Sequence, residues 1–214
     1  MPQKKALLLV GLGNPGDAYV TTRHNAGFMV LNKVAESFSI PVEKKKFDAL
    51  LGRGLIKDSE VILAKPMAFM NLSGIPVQKI LNYFKIPFED MLVIHDDIDL
   101  AFGRLQIKEN GGHGGHKGLK SIIETVGSNN FVRLRIGIGR SEDYVDIANY
   151  VLDQFNTNEK NVLDRMIEKA RDAVVATICK GTKKAMNIFN DKRLITTQVQ
   201  SPKVHGSRLE SDED

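Results

Sequence analysis

Ala6-Leu7-Leu8-Leu9-Val10-Gly11-Leu12-Gly13-Asn14-Pro15-Gly16 is the stretch on which the fold class turns. Its first five residues are apolar without alternation, as in a strand buried on both faces. The run ends at glycine, and Asn14-Pro15-Gly16-Asp17 is turn chemistry. A central strand of this kind needs helices on both sides of its sheet.

Working outward, the pattern alternates. Apolar residues Phe28, Leu31, Val34, Ala35 and Phe38 mark a helix over residues 25–38. Residues 50–56 and 60–65 flank Lys57-Asp58-Ser59 and predict a hairpin. Ser73 is placed to cap a helix with Pro76 in its first turn, running to about Phe84. Residues 91–95 read as a second buried strand that delivers Asp96 at its carboxyl end. Residues 105–108 extend briefly, 119–126 are helical, and 131–138 form a strand. A long amphipathic helix covers about 158–189, with a break near Gly181. The expectation is a single-domain three-layer α/β sandwich: a mixed, mostly parallel twisted sheet, partly antiparallel at the hairpin, flanked by helices. Residues 1–191 form this domain. Residues 192–214 are polar and end in acids, and are expected to be disordered.

The chain has 214 residues, 42% hydrophobic and 26% charged, as in ordinary soluble proteins. No apolar run approaches the roughly 20 residues of a membrane span. Met1-Pro2-Gln3-Lys4-Lys5 leads into too short an apolar segment for a signal peptide. The reading is cytoplasmic, with no membrane partner. Cys179 is the single cysteine, so an internal disulfide is excluded. In a helix it reads as a buried small residue. The formal charge is +4, yet Glu210, Asp212, Glu213 and Asp214 crowd the end, so the body is more basic still and fits a polyanionic partner.

Several loops set asparagines and a histidine beside glycines: Gly11 to Gly16, Thr22-Arg23-His24-Asn25-Ala26-Gly27, and Phe69-Met70-Asn71-Leu72-Ser73-Gly74. His95-Asp96-Asp97 and Gly111-Gly112-His113-Gly114-Gly115-His116 follow. Asparagine both donates and accepts without charge, and histidine moves protons near neutral pH. Asp96 is a natural partner for His24: a carboxylate on one imidazole nitrogen fixes the tautomer and raises the basicity of the other. Such a pair can deprotonate water. Asn14 and Asn71 could orient an acyl group or stabilise an oxyanion.

Other readings fit less well. Gly11-x-Gly13-x-x-Gly16 matches the dinucleotide fingerprint, but the next helical stripe begins only near Asn25 and no acid is placed to hold a ribose. The P-loop pattern is absent. His95, Asp96, Asp97, Asp99, His113 and His116 have poor spacing for zinc, and no metal site is expected. The glycine loop lies among Lys108, Lys117 and Lys120. Arg133 and Arg135 share a face of the next strand, and Arg140 follows it. That setting suits phosphate contacts.

Together these motifs closely resemble bacterial-type peptidyl-tRNA hydrolases, in the family's order, from about Leu7 to about Asn190; Arg133-Leu134-Arg135-Ile136-Gly137-Ile138-Gly139 adds a further match. The resemblance implies a cytoplasmic, monomeric esterase that frees tRNA from a peptide and needs no metal or organic cofactor. By matching position, it implies His24 as catalytic base, Asp96 as its partner and Asn14 and Asn71 as substrate-positioning amides. It also implies that Tyr19 and Met70 line the peptide site, that His116 is a cleft histidine, and that Lys108 and Arg135 clamp a tRNA phosphate. Lys117 departs from the pattern: many members carry an asparagine there, and lysine donates but cannot accept. Its expected role is substrate binding, directly or through the 3′ phosphates. A nucleotide-dependent oxidoreductase, a metal hydrolase and a non-catalytic RNA-binding module are the alternatives.

Overall fold

Strand β1 (Leu7–Gly11) divides its side chains between two cores. Leu9 faces α1 (Ala26–Ser37), α5 (Thr157–Lys180) and α6 (Thr182–Phe189), packing with Leu31, Val34, Ala170 and Val174. Leu8 and Val10 face α2 (Gly74–Phe84) and α3 (Lys117–Val126), packing with Val77, Ile80, Leu119 and Ile122. Each such buried aliphatic side chain contributes roughly 1.5–3 kcal/mol. The two cores are the two interfaces of the expected three-layer sandwich. The computed structural model describes residues 6–140 and 146–190. The tail expected to be disordered lies outside the described residues.

The remaining strands are β2 (Lys44–Lys46), β3 (Ala49–Ile56), β4 (Ser59–Pro66), β5 (Met91–Asp97), β6 (Leu105–Glu109) and β7 (Val132–Gly137). Their order is β2-β3-β4-β1-β5-β7-β6. Parallel pairing joins the four central strands, and β2, β3 and β6 attach antiparallel at the margins. The β3–β4 hairpin turns at Lys57-Asp58, with Ile56 opposite Ser59, as its turn residues predict. Two elements carry no clear sequence signal: β2, a three-residue run of lysines on the sheet edge, and the short α4 (Ile147–Leu152).

Register places the site. Val10 lies opposite both Ala64 on β4 and Val93 on β5. Strands β1, β4 and β5 therefore end on the same edge of the sheet, which brings Asn14 and Asn71, from the segments after β1 and β4, together with Asp96 near the end of β5. Gly11 and Gly27 permit this close packing of α1. A Cβ on Gly27 would meet Ile94 O at 2.3 Å and Leu12 N at 2.5 Å. Two 3₁₀ turns, Asp17–Tyr19 and Arg23–Asn25, separate the glycine turn from α1, so no helix N-terminus faces the loop as a dinucleotide site requires.

Two local expectations are corrected. Ser73 does not cap α2: its hydroxyl donates to Met70 O, and the first helical N–H, that of Gly74, donates instead to Ser121 Oγ of α3 at 2.9 Å. Cys179 is exposed rather than buried: its neighbours Ala176 and Ile178 pack into the core while it stands on the outer side of α5. The predicted break in the long C-terminal helix falls at Gly181, which takes φ 83°.

Candidate active site

Asp96 closes the buried part of β5, and its Oδ1 receives two imidazoles. His24 Nδ1 lies at 2.9 Å and His116 Nε2 at 3.0 Å. Burial works to raise the Asp96 carboxyl, and the two histidines, by charge and hydrogen bond, outweigh it and hold the group below the usual carboxylate range. Asp96 is therefore a fixed anion.

The hydrogen bonds also settle the tautomers. His116 Nδ1 accepts from the backbone N–H of Gly118 and Leu119, capping α3, so its proton sits on Nε2 and points at Asp96. His24 likewise presents Nδ1–H to Asp96, which leaves Nε2 as the nitrogen able to take a proton. The two rings are 4.9 Å apart. His24 Nδ1, Asp96 Oδ1 and a His116 nitrogen lie within 4.8 Å of one another, a spacing that would also suit a metal ion. In this arrangement both histidines are hydrogen-bonded to Asp96.

Asn14 is fixed on three sides. Its Oδ1 accepts from Met70 N at 2.9 Å, so its amide NH₂ is the free end. Asn25 grips its backbone, accepting from Asn14 N at 2.8 Å and donating to Asn14 O at 3.0 Å. The sequence signal for this role of Asn25 is its place beside His24 in Thr22-Arg23-His24-Asn25-Ala26-Gly27. Arg23 secures the same turn from behind, bonded to Gln154 O and Glu159 and lying over the Tyr150 ring.

These groups open into one cleft of about 980 Å³. Asn14, Tyr19, His24, Met70, Asn71, Asp96, His116 and Lys117 all line it. Asn71 is exposed within it, while Met70 is buried in its wall. Phe69, Ile98, Ile147, Val151 and Leu152 add an apolar stretch, part of it from α4. A second cavity of about 850 Å³, lined by Arg23, Tyr150 and Glu159 among others, lacks an imidazole–carboxylate pair.

Lys108 and Arg135 are not in the cleft. Arg135 bonds Asp97 Oδ2 at 2.6 Å and Gln106 across the β6–β7 ladder. Lys108 is exposed opposite Arg133 on the same ladder and makes no ion pair among the described residues. Arg133 is buried and ties down the glycine loop through Gly111 O and Gly112 O. Among the described residues no helix is long and apolar enough to cross a membrane.

Comparison with known proteins agrees with the fold. The profile of the family described as peptidyl-tRNA hydrolase matches residues 8–197. A peptidyl-tRNA hydrolase of Geotalea daltonii is 45% identical over 188 residues, 88% of this chain and 98% of that protein. A chloroplastic peptidyl-tRNA hydrolase of Arabidopsis thaliana is 44% identical over 90% of this chain and 67% of its own length. The crystal structure of peptidyl-tRNA hydrolase from Acinetobacter baumannii superposes with a TM-score of 0.82 at 38% identity, covering 89% of this chain and 97% of that one. With that extent and similarity, and with its asparagine, histidine and aspartate loops gathered on one sheet edge, the chain belongs to the peptidyl-tRNA hydrolase family.

Proposed function

We propose that the chain hydrolyses the ester between a peptide, or an N-blocked aminoacyl group, and the 3′-terminal ribose of tRNA. Water is the nucleophile and no covalent enzyme intermediate forms. The observation that carries this reading is the single carboxylate oxygen of Asp96 holding His24 in the tautomer that exposes Nε2 to the cleft. His24 Nε2 takes a proton as water attacks the ester carbonyl. The resulting tetrahedral oxyanion is within the province of donors such as the Asn14 and Asn71 amides; one such donor is worth about 10²–10³ in rate. The imidazolium then returns the proton to the departing ribose oxygen, so acid, alcohol and free enzyme result. An ester leaves readily enough for this without a serine acyl-enzyme.

His116 holds Asp96 from the second side. Tyr19, Met70, Phe69 and Val151 offer apolar contact to the peptide, and Lys117 a cation to the RNA end. Lys108, exposed on the β6–β7 margin outside the cleft, offers a cation to a tRNA phosphate, with Arg135, itself paired with Asp97, beside it on the same ladder. The reading carries with it a cytoplasmic, monomeric enzyme acting where tRNA is recycled.

One experiment tests the substrate and the chemistry together: N-acetyl-aminoacyl-tRNA and free aminoacyl-tRNA are each incubated with the enzyme, with and without a chelator. Rapid release from the blocked substrate alone, unaffected by chelation, is expected. Equal release from both contradicts the substrate assignment. Chelator-sensitive release favours the second reading, a metal on His24, Asp96 and His116, for which their 4.8 Å grouping speaks.

A further inference from the structure

Strand β1 leaves the sheet before β5 does. Its last bond to β5 runs from Leu12 N to Ile94 O at 2.9 Å. Beyond that point Leu12 O accepts from Phe28 N, and Asn14 N donates to Asn25, so β1 has nothing left for Asp96. The Asp96 carbonyl lies two residues after that of Ile94, on the same side of β5. A buried acceptor left without a partner there would cost about 1–3 kcal/mol.

His95 supplies the partner. Its Nδ1 donates to the carbonyl of the next residue, Asp96 O, at 2.6 Å. The residue is 2% exposed, and its other nitrogen, Nε2, has no hydrogen-bond partner among the described residues. The ring stands edge-on to His116, with centroids 5.0 Å apart and an interplanar angle of 77°. Burial first, then the charge of His116, push its pKa down to about 3, so His95 is neutral and does not compete for the Asp96 carboxylate. A position chosen for packing alone would not hold an imidazole with an unpaired buried nitrogen.

We propose that His95 is a positioning residue for the hydrolysis: by holding the Asp96 peptide where β1 departs, it keeps Oδ1 between His24 and His116. This rests on the His24–Asp96 reading above. His95 touches no substrate and acts only through Asp96.

The test is a set of three variants, His95→Asn, His95→Gln and His95→Leu, followed by steady-state hydrolysis of N-acetyl-aminoacyl-tRNA. An asparagine amide nitrogen stands where Nδ1 does; the glutamine nitrogen lies one bond farther, and leucine has no donor. His95→Leu and His95→Gln are expected to lose roughly 10- to 100-fold in kcat, the scale of a misplacement near 1 Å, with KM within about twofold. His95→Asn is expected to retain at least about a third of wild-type kcat. In an Asp96→Asn background, His95→Leu is expected to cost less than about twofold more, because residues acting through one group are not additive. The proposal is overturned if His95→Leu keeps kcat within twofold of wild type, if His95→Asn falls as far as His95→Gln, or if His95→Leu exacts its full factor beside Asp96→Asn. Should the leucine variant not fold, the asparagine and glutamine pair decides alone. An Asp96→Asn enzyme with wild-type turnover sinks the catalytic reading itself, whereas an impaired Asp96→Asn beside an unimpaired His95→Leu sinks only the role of His95.

Discussion

His95 and Asp96 are adjacent in sequence, share one cluster, and yet respond to burial in opposite ways. The carboxyl stays ionised because two imidazoles donate to it; the neighbouring imidazole stays neutral because burial and His116 outweigh Asp96. This has a consequence for stability. The His95 pKa falls from its ordinary 6.5 to about 3 on folding, so between those pH values the unfolded chain binds a proton that the folded chain does not. Stability from this residue is complete above about pH 6.5 and is lost as pH falls toward 3, at up to about 1.4 kcal/mol per pH unit. Urea unfolding at intervals across that range should give a flatter profile for His95→Asn than for wild type; parallel profiles would contradict the neutral, buried imidazole. At this scale the sequence was informative about which residues matter and silent about how they bond. His24, Asp96 and Asn14 stand out by type and glycine context. That His116 is an acceptor at Nδ1 depends on α3 beginning at the next residue, and that Asn14 offers its NH₂ depends on Met70 N taking the oxygen.

Elements in this fold support one another at their ends, and here local reading reaches its limit. A serine before a helix was a sound reason to expect a cap at Ser73, but the 3₁₀ turn Met70–Leu72 turns that hydroxyl back to Met70 O, and Ser121 crosses from α3 to serve α2. Because Ser121 Oγ accepts from a buried N–H, Ser121→Ala is expected to cost about 1–2 kcal/mol in chemical denaturation, while Ser73→Ala, which removes a donor to Met70 O and Met70 Sδ but leaves no N–H unpaired, costs less. The reverse ranking would show that the cap is local after all. Strands β1 and β5 were legible because both faces are apolar, and the Gly181 break because glycine alone accepts that φ cheaply. Strand β2 was not, since Lys44-Lys45-Lys46 on a sheet edge resembles any solvated run. Nor was α4, whose six residues are too few to establish a helical period, and with it went part of the cleft's apolar wall.

Across the whole molecule, the sheet divides the work. Its carboxyl edge gathers the imidazoles and amides, and the β6–β7 margin carries Lys108 with Arg133 and Arg135. These arginines are not equivalent cations: Arg133 is spent on the glycine loop and Arg135 on Asp97 and Gln106. Of these three cations Lys108 is the one that is exposed and makes no ion pair among the described residues, and it is the one proposed to meet a tRNA phosphate. Lys108→Ala is expected to weaken tRNA binding and lower the slope of log affinity against log salt by about 1, with kcat little changed; an unaltered slope would remove it from the tRNA contact. The measurement that bears most directly on the whole account is single-turnover cleavage of N-acetyl-aminoacyl-tRNA by His24→Ala at saturating enzyme, beside its affinity for tRNA. A fall of roughly 10²–10⁴ in rate, with affinity within about twofold of wild type, is expected of a lost general base. A rate within tenfold of wild type would mean that water is activated elsewhere and that the imidazole held by Asp96 is not the base.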